Sequence, residues 1–119
     1  MKAKSFTDLR VWEKSHQLVL VIYQTVSSFP KDELYALSSQ IKRAAVSISS
    51  NIAEGFVRKT KKEKEQFYYI ALGSLTELQN QLLIARDLQF IAKENFKSIA
   101  EQTIEISKMI NGLIKSLKY

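Results

Sequence analysis

The sequence predicts an all-α protein, an antiparallel up-down-up-down four-helix bundle in one domain over residues 1–119, and three observations carry that reading. Only one proline and three glycines punctuate 119 residues of a composition that suits long helices. Apolar residues recur at alternating steps of three and four in four separate stretches. The connections between those stretches are short, and short connections lay consecutive helices side by side in opposite directions.

The first helix is expected over about residues 8–28, with Leu9, Trp12, His16, Val19, Tyr23 and Val26 setting its period and Thr7 or Asp8 placed to cap it. Its run LVLVIY, residues 18–23, surrounds the helix instead of lining one stripe. A helix covered on two sides follows, the second side being a contact between subunits that includes Leu18 and Ile22. A strand is the competing reading of these β-branched residues, but no alternating partner strand occurs elsewhere.

Pro30 stops the first helix and Asp32 is placed to cap the second, expected over about residues 32–55 with Leu34, Leu37, Ile41, Ala45, Ile48 and Ile52 inward. Gly55 marks its end, with Phe56 and Val57 able to extend the last turn. Thr60–Glu63, TKKE, reads as a capping box opening a third helix over about residues 61–88. Phe67, Ile70, Ala71, Leu75, Leu78, Leu82 and Ala85 form its apolar side, and Gly73 and Ser74 are small enough to admit another helix. The fourth helix, about residues 93–117, repeats Phe96, Ile99, Thr103, Ile106, Ile110, Leu113 and Leu117 without a break.

Composition narrows the functions. The absence of cysteine removes disulfides, thiolate metal sites and thiol nucleophiles, and fits a reducing cytoplasm. No signal-peptide pattern follows the basic first residues, and the apolar run is too short to cross a bilayer, so a cytoplasmic protein without membrane contact is expected. His16 is the single histidine, no Glu-x-x-His pattern for a bundle metal site occurs, and Gly55, Gly73 and Gly112 are too scattered for a phosphate loop. The serines have no base beside them. The expectation is therefore a non-enzyme with no catalytic residue, metal or cofactor.

Two polar features remain. The net charge is +6, and Arg58–Lys64, RKTKKEK, alone holds five positive and one negative side chains. Arg58, Lys59, Lys61, Lys62 and Lys64 are thus candidates for phosphate contacts with RNA or DNA, assisted by Lys42 and Arg43, with Tyr68 and Tyr69 available to stack on unpaired bases. A solvated helix connection is the alternative. On the second helix Gln40, Ala44, Ser47, Asn51 and Glu54 share one face of small and polar residues. Ser47, Asn51 and Glu54 are expected at a subunit interface. There Asn51 and Glu54 would take hydrogen bonds from Lys42 or Arg43 of a neighbouring copy, a tyrosine hydroxyl or a helix end, and so set the register. An exposed polar face is the alternative.

The segments FTDLRVWEKSHQLVLVIY, FPKDELYALSSQIKRAAVSISSNIAEGF and FYYIALGSLTELQNQL, in this order and spacing, closely resemble the bacterial family of 23S ribosomal RNA intervening-sequence proteins. The resemblance runs from about Phe6 to Leu117, and QIKRAAVSISSNIAEG carries most of its specificity. Ser49 stands where that family often has proline, and Ala36 where glycine is common. The resemblance implies a homo-oligomeric bundle, commonly a pentamer. It also implies similarity to accessory proteins of diversity-generating retroelements, which bind nucleic acid and a reverse transcriptase. Expected partners are accordingly the chain itself, RNA or DNA, or a protein.

Overall fold

Four stretches of the chain satisfy their backbone groups as α-helices: α1 (Arg10–Val26), α2 (Leu37–Val57), α3 (Lys61–Asp87) and α4 (Lys93–Lys115). This is seen in a computed structural model that describes residues 2–118, among which no strand occurs. Short 3-10 turns at Phe6–Asp8 and Lys31–Glu33 precede α1 and α2. α1 packs on α2 and α4, and α3 packs on the same two helices, so the four close a ring measuring 46 × 25 × 20 Å overall. The α2–α3 contact is the most extensive of the four.

The core is made of the residues whose removal from water drives that packing, about 25 cal/mol for each Å² of apolar surface. Leu18 and Ile22 of α1, Ile41, Ile48 and Ile52 of α2, Leu75, Leu78 and Leu82 of α3, and Ile106 and Ile110 of α4 are all essentially without exposure. Leu18 and Ile22 therefore correct the sequence expectation of a subunit contact: they lie inside the chain's own core. The apolar run that contains them has no polar side, so periodicity alone picks either face. Burial in fact follows Val11, Ser15, Leu18, Ile22 and Val26, about one residue away from the expected seam. Ser15 tolerates this position because its hydroxyl donates to the Val11 carbonyl at 2.7 Å and needs no water. His16 is correspondingly exposed, and its ring stacks on Trp12 at 4.8 Å.

The helix ends depart from expectation in instructive ways. Neither Thr7 nor Asp8 caps α1, which begins after Leu9 with no side-chain cap; the capping falls on the 3-10 turn before it, where the Ser5 hydroxyl accepts from the Thr7 amide at 3.3 Å and Asp8 accepts from the amides of Lys4 and Ser5. Asp32 lies in a 3-10 turn whose i+3 hydrogen bonds run on to Ala36, and regular α bonding begins only with Gln40 donating to the Ala36 carbonyl at 3.1 Å. At α3 the Thr60 hydroxyl accepts from the Glu63 amide at 3.1 Å and donates to its carboxylate at 3.0 Å, one arm of the expected box. α3 ends on Gln89 in the left-handed region, φ 63°, with Phe90 donating to Ala85 and Gln89 to Arg86. That is the pairing of a Schellman cap, usually built on glycine. It turns the chain sharply enough for Phe90 to meet Phe29 at 5.4 Å between ring centroids.

Gly55 does not end α2, which continues to Val57. A Cβ on Gly55 would lie 2.6 Å from Tyr68 Cε1 and 3.1 Å from Phe67 Cβ, so the glycine provides room for α3. Ala44, Ala45 and Ala71 are small and buried on the same two helices, which explains how they come so close.

Candidate nucleic-acid interface

The Arg58–Lys64 cations occupy the turn between α2 and α3 and the first turn of α3, where the fold holds Arg58 and Lys64 in place. Arg58 donates from Nη2 to Glu54 at 2.6 Å, stacks on Phe67 at 4.6 Å, and has its Nε buried. Lys64 donates to the last carbonyls of α2, Phe56 at 2.5 Å and Gly55 at 3.5 Å, and lies over the Phe56 ring. It thereby satisfies helix-end acceptors that would otherwise need water. Lys59, Lys61 and Lys62 are exposed. The cluster thus divides into cations that fasten α2 to α3 and cations that face outward.

Lys42 and Arg43 belong to a different place. They lie on α2 fifteen or more residues before Arg58, the residue that caps its end, about 22 Å along the axis at 1.5 Å per residue. Lys42 sits over the Tyr23 ring at 5.1 Å. With Arg43 it borders a groove of about 600 Å³ whose apolar walls are Tyr23, Leu34, Tyr35 and Val46. Tyr35 is 93% exposed. Nothing in the sequence marks this groove, because Leu34 and Tyr35 look like ordinary members of a helix, while the structure places them in the turn before α2.

On the polar face of α2, Ser47, Asn51 and Glu54 find hydrogen-bond partners within the chain. Ser47 and Ser74 hydroxyls meet at 2.7 Å across α2 and α3. Asn51 Nδ2 donates to the Ser47 carbonyl at 2.8 Å and hydroxyl at 3.0 Å, and Glu54 takes Arg58. No neighbouring copy is needed to supply these bonds. The Glu54–Arg58 pair is half exposed, which limits its worth to about 0–1 kcal/mol.

Tyr68 corrects a second expectation, since it is 2% exposed and covers Gly55, leaving only the 55% exposed Tyr69 able to stack on a base. Burial pushes the Tyr68 phenol above its usual 10.0. The native state then holds that proton more tightly than the unfolded chain, so the stabilisation is fully present below about pH 10 and is lost as pH rises through the raised value. Urea denaturation across the alkaline range is expected to show a shallower loss of stability for Tyr68→Phe than for the parent. Parallel alkaline limbs would refute this assignment.

Among the described residues no group of three or more His, Asp or Glu is placed to hold a metal ion, and no helix is long and apolar enough to cross a membrane.

Fold and site together define a small helical-bundle protein whose distinctive polar chemistry lies on its outer surface. Residues 7–112 match the model of a family described as 23S rRNA-intervening sequence protein, and the chain belongs to that family. It is also similar to a crystal structure of a protein of unknown function from the S23 ribosomal protein family of Bacteroides thetaiotaomicron VPI-5482. That match has a TM-score of 0.80 and 26% identity, and covers 88% of this chain and 98% of the other. No curated protein matches the chain. Neither description names a catalytic activity.

Proposed function

We propose that the protein is a non-enzymatic, homo-oligomeric antiparallel bundle that binds RNA or DNA through phosphate contacts from the α2–α3 turn. The carrying observation is that Lys59 and Lys62 face solvent there while Arg58 and Lys64 are held beside them by the fold. A fixed group of neighbouring cations raises the local anion concentration more than the same charge spread out. Opposed directions for neighbouring helices are supported by the pairs Gly55 with Tyr68 and Ser47 with Ser74 between α2 and α3, and Gln79 with Thr103 and Arg86 with Phe96 between α3 and α4, in which one number falls as the other rises.

Assembly is supported by apolar surface left on two sides. Leu20, Tyr23, Leu34 and Tyr35 are exposed along α1 and the turn before α2. Ile70, Ile84 and Leu88 are exposed along α3, where Gly73 has open space around it. Two different patches that fit one another produce a head-to-tail contact, and such contacts close into rings when the rotation permits. A ring of five subunits, the number the family resemblance implies, is one closed assembly of this kind. The contact would use these exposed residues, since Leu18 and Ile22 are already covered.

The test is a fluorescence-anisotropy titration with single-stranded RNA, structured RNA and duplex DNA at several salt concentrations, after light scattering has fixed the assembled mass. Binding is expected to weaken with a log–log salt slope of roughly −0.7 per phosphate contact on a single strand. Lys59→Glu with Lys62→Glu is expected to reduce it by about tenfold or more at low salt. No binding by the assembled protein at low salt would overturn the reading. A protein-binding scaffold is the second reading, favoured by the exposed aromatic groove at Tyr23, Leu34 and Tyr35. It predicts an association that tolerates salt.

A further inference from the structure

We infer that the nucleic-acid surface is the whole end face of the bundle around the α2–α3 turn, completed by cations from the start of α1 and the end of α4. This rests on the nucleic-acid reading above and extends it to residues that no basic run in the sequence marks.

Placement comes first. Phe6 shares a surface cleft with Ala53, Glu54 and Val57, so the segment leading into α1 lies against the last turns of α2. Gly55 against Phe67 and Tyr68 brings the first turns of α3 to the same level. Gln79 donates to Thr103 at 3.1 Å and Arg86 lies over Phe96 at 5.0 Å, which lines up α3 and α4 in opposite directions. Twelve residues on from Thr103, Lys115 therefore stands level with Phe67. Lys14 with Glu105, at 3.6 Å, gives the matching register between α1 and α4.

Charge follows placement. Segments 2–13, 54–67 and 108–118, which meet at this end, hold eleven of the eighteen Lys and Arg and five of the twelve Asp and Glu. The rest of the chain holds seven of each. The entire net charge of +6 is thus gathered at one end of a molecule 46 Å long, several Debye lengths of about 8–10 Å. Three of the five acids at this end are turned to the protein: Asp8 accepts from the Lys4 and Ser5 amides, Glu54 from Arg58, and Glu63 from Thr60. Those acids are exposed but already engaged, and Lys4, Arg10, Lys59, Lys62, Lys115 and Lys118 are exposed beside them. The α4 contribution also sits where cations are favoured, because the last carbonyls of that helix carry partial negative charge. A surface with a fixed positive field fits a continuous phosphate backbone, which offers a charge with every nucleotide.

Three charge-changed variants, each first checked for helicity and assembled mass, test the inference by anisotropy with a fluorescent single-stranded RNA across a salt series. They are Lys59→Glu with Lys62→Glu; Arg10→Gln with Lys115→Gln and Lys118→Gln; and Lys93→Gln with Lys97→Gln, from the other end. The expected result is that the first two sets each weaken binding about tenfold or more at low salt. The Arg10, Lys115 and Lys118 set should also lower the salt slope by about two units, near 0.7 for each lost contact. The third set should bind like the parent. Loss with the first set alone overturns the extended face and leaves the turn as the site. Equal loss with the third set overturns it as well, showing that net charge and not the end face governs binding. Parent protein that binds no RNA at low salt overturns both readings.

Discussion

Gly55→Ala is expected to destabilise the protein by about 2 kcal/mol, because the added methyl meets a buried aromatic ring. The Cβ would stand 2.6 and 2.9 Å from two carbons of Tyr68, closer than any relaxed contact, and Phe67 Cβ blocks the other side at 3.1 Å. Tyr68 cannot swing away, being itself 2% exposed within the core. Overpacking of this kind costs about 1–3 kcal/mol or more. Against it stands a gain of up to about 1 kcal/mol from replacing a helical glycine with alanine. The clash outweighs that gain. Gly112 provides the control, since nothing lies within 4 Å of its Cβ position and Gly112→Ala should only gain. Urea midpoints at one fixed protein concentration measure all of this. Combining Gly55→Ala with Tyr68→Ala should remove most of the Gly55 penalty, as expected of two residues in direct contact. A Gly55→Ala protein as stable as its parent would show that α3 gives way, and would remove the proposed reason for the glycine.

Ile48→Ala is expected to cost about 2–5 kcal/mol, a large part of the stability of a small domain. Ile48 has no exposure and sits midway along α2, the helix that packs on both α1 and α3. Neighbours on two sides leave little freedom for the cavity to collapse, which puts the cost in the upper part of that range. Leu20→Ala, on the outer side of α1 with 58% exposure, should cost the isolated chain little. Thermal or urea unfolding separates the two substitutions. An Ile48→Ala loss below about 1 kcal/mol would place Ile48 outside a well-packed core.

Much of the fold is legible because it depends on short-range periodicity. In α2, α3 and α4 the three-four spacing of Ile41, Ile48, Ile52, Leu75, Leu82, Ile106 and Ile110 singles out one face, and that face is the buried one, although Ile70, expected on the same side of α3, is 50% exposed. In α1 the same spacing misplaces the seam because LVLVIY has no polar side, so nothing chooses between the stripe through Leu18 and Ile22 and the one through Val19 and Tyr23. The cap of α3 is invisible because Gln89 takes a left-handed conformation that sequence rules assign to glycine. At the candidate site, the run Arg58–Lys64 is plain in the sequence. Its division is not, because Arg58 and Lys64 find their partners only after α2 and α3 have come together.

Sequence alone therefore dictates that the chain forms four amphipathic helices and where its basic run falls, since hydropathy and capping act over a few residues. Packing decides which α1 face is buried, that Gly55 makes room for Tyr68, that Tyr68 is withdrawn from solvent, and that cations far apart in the chain share one end. Those outcomes depend on which surfaces meet when helices pack, and residues distant in sequence enter that choice together.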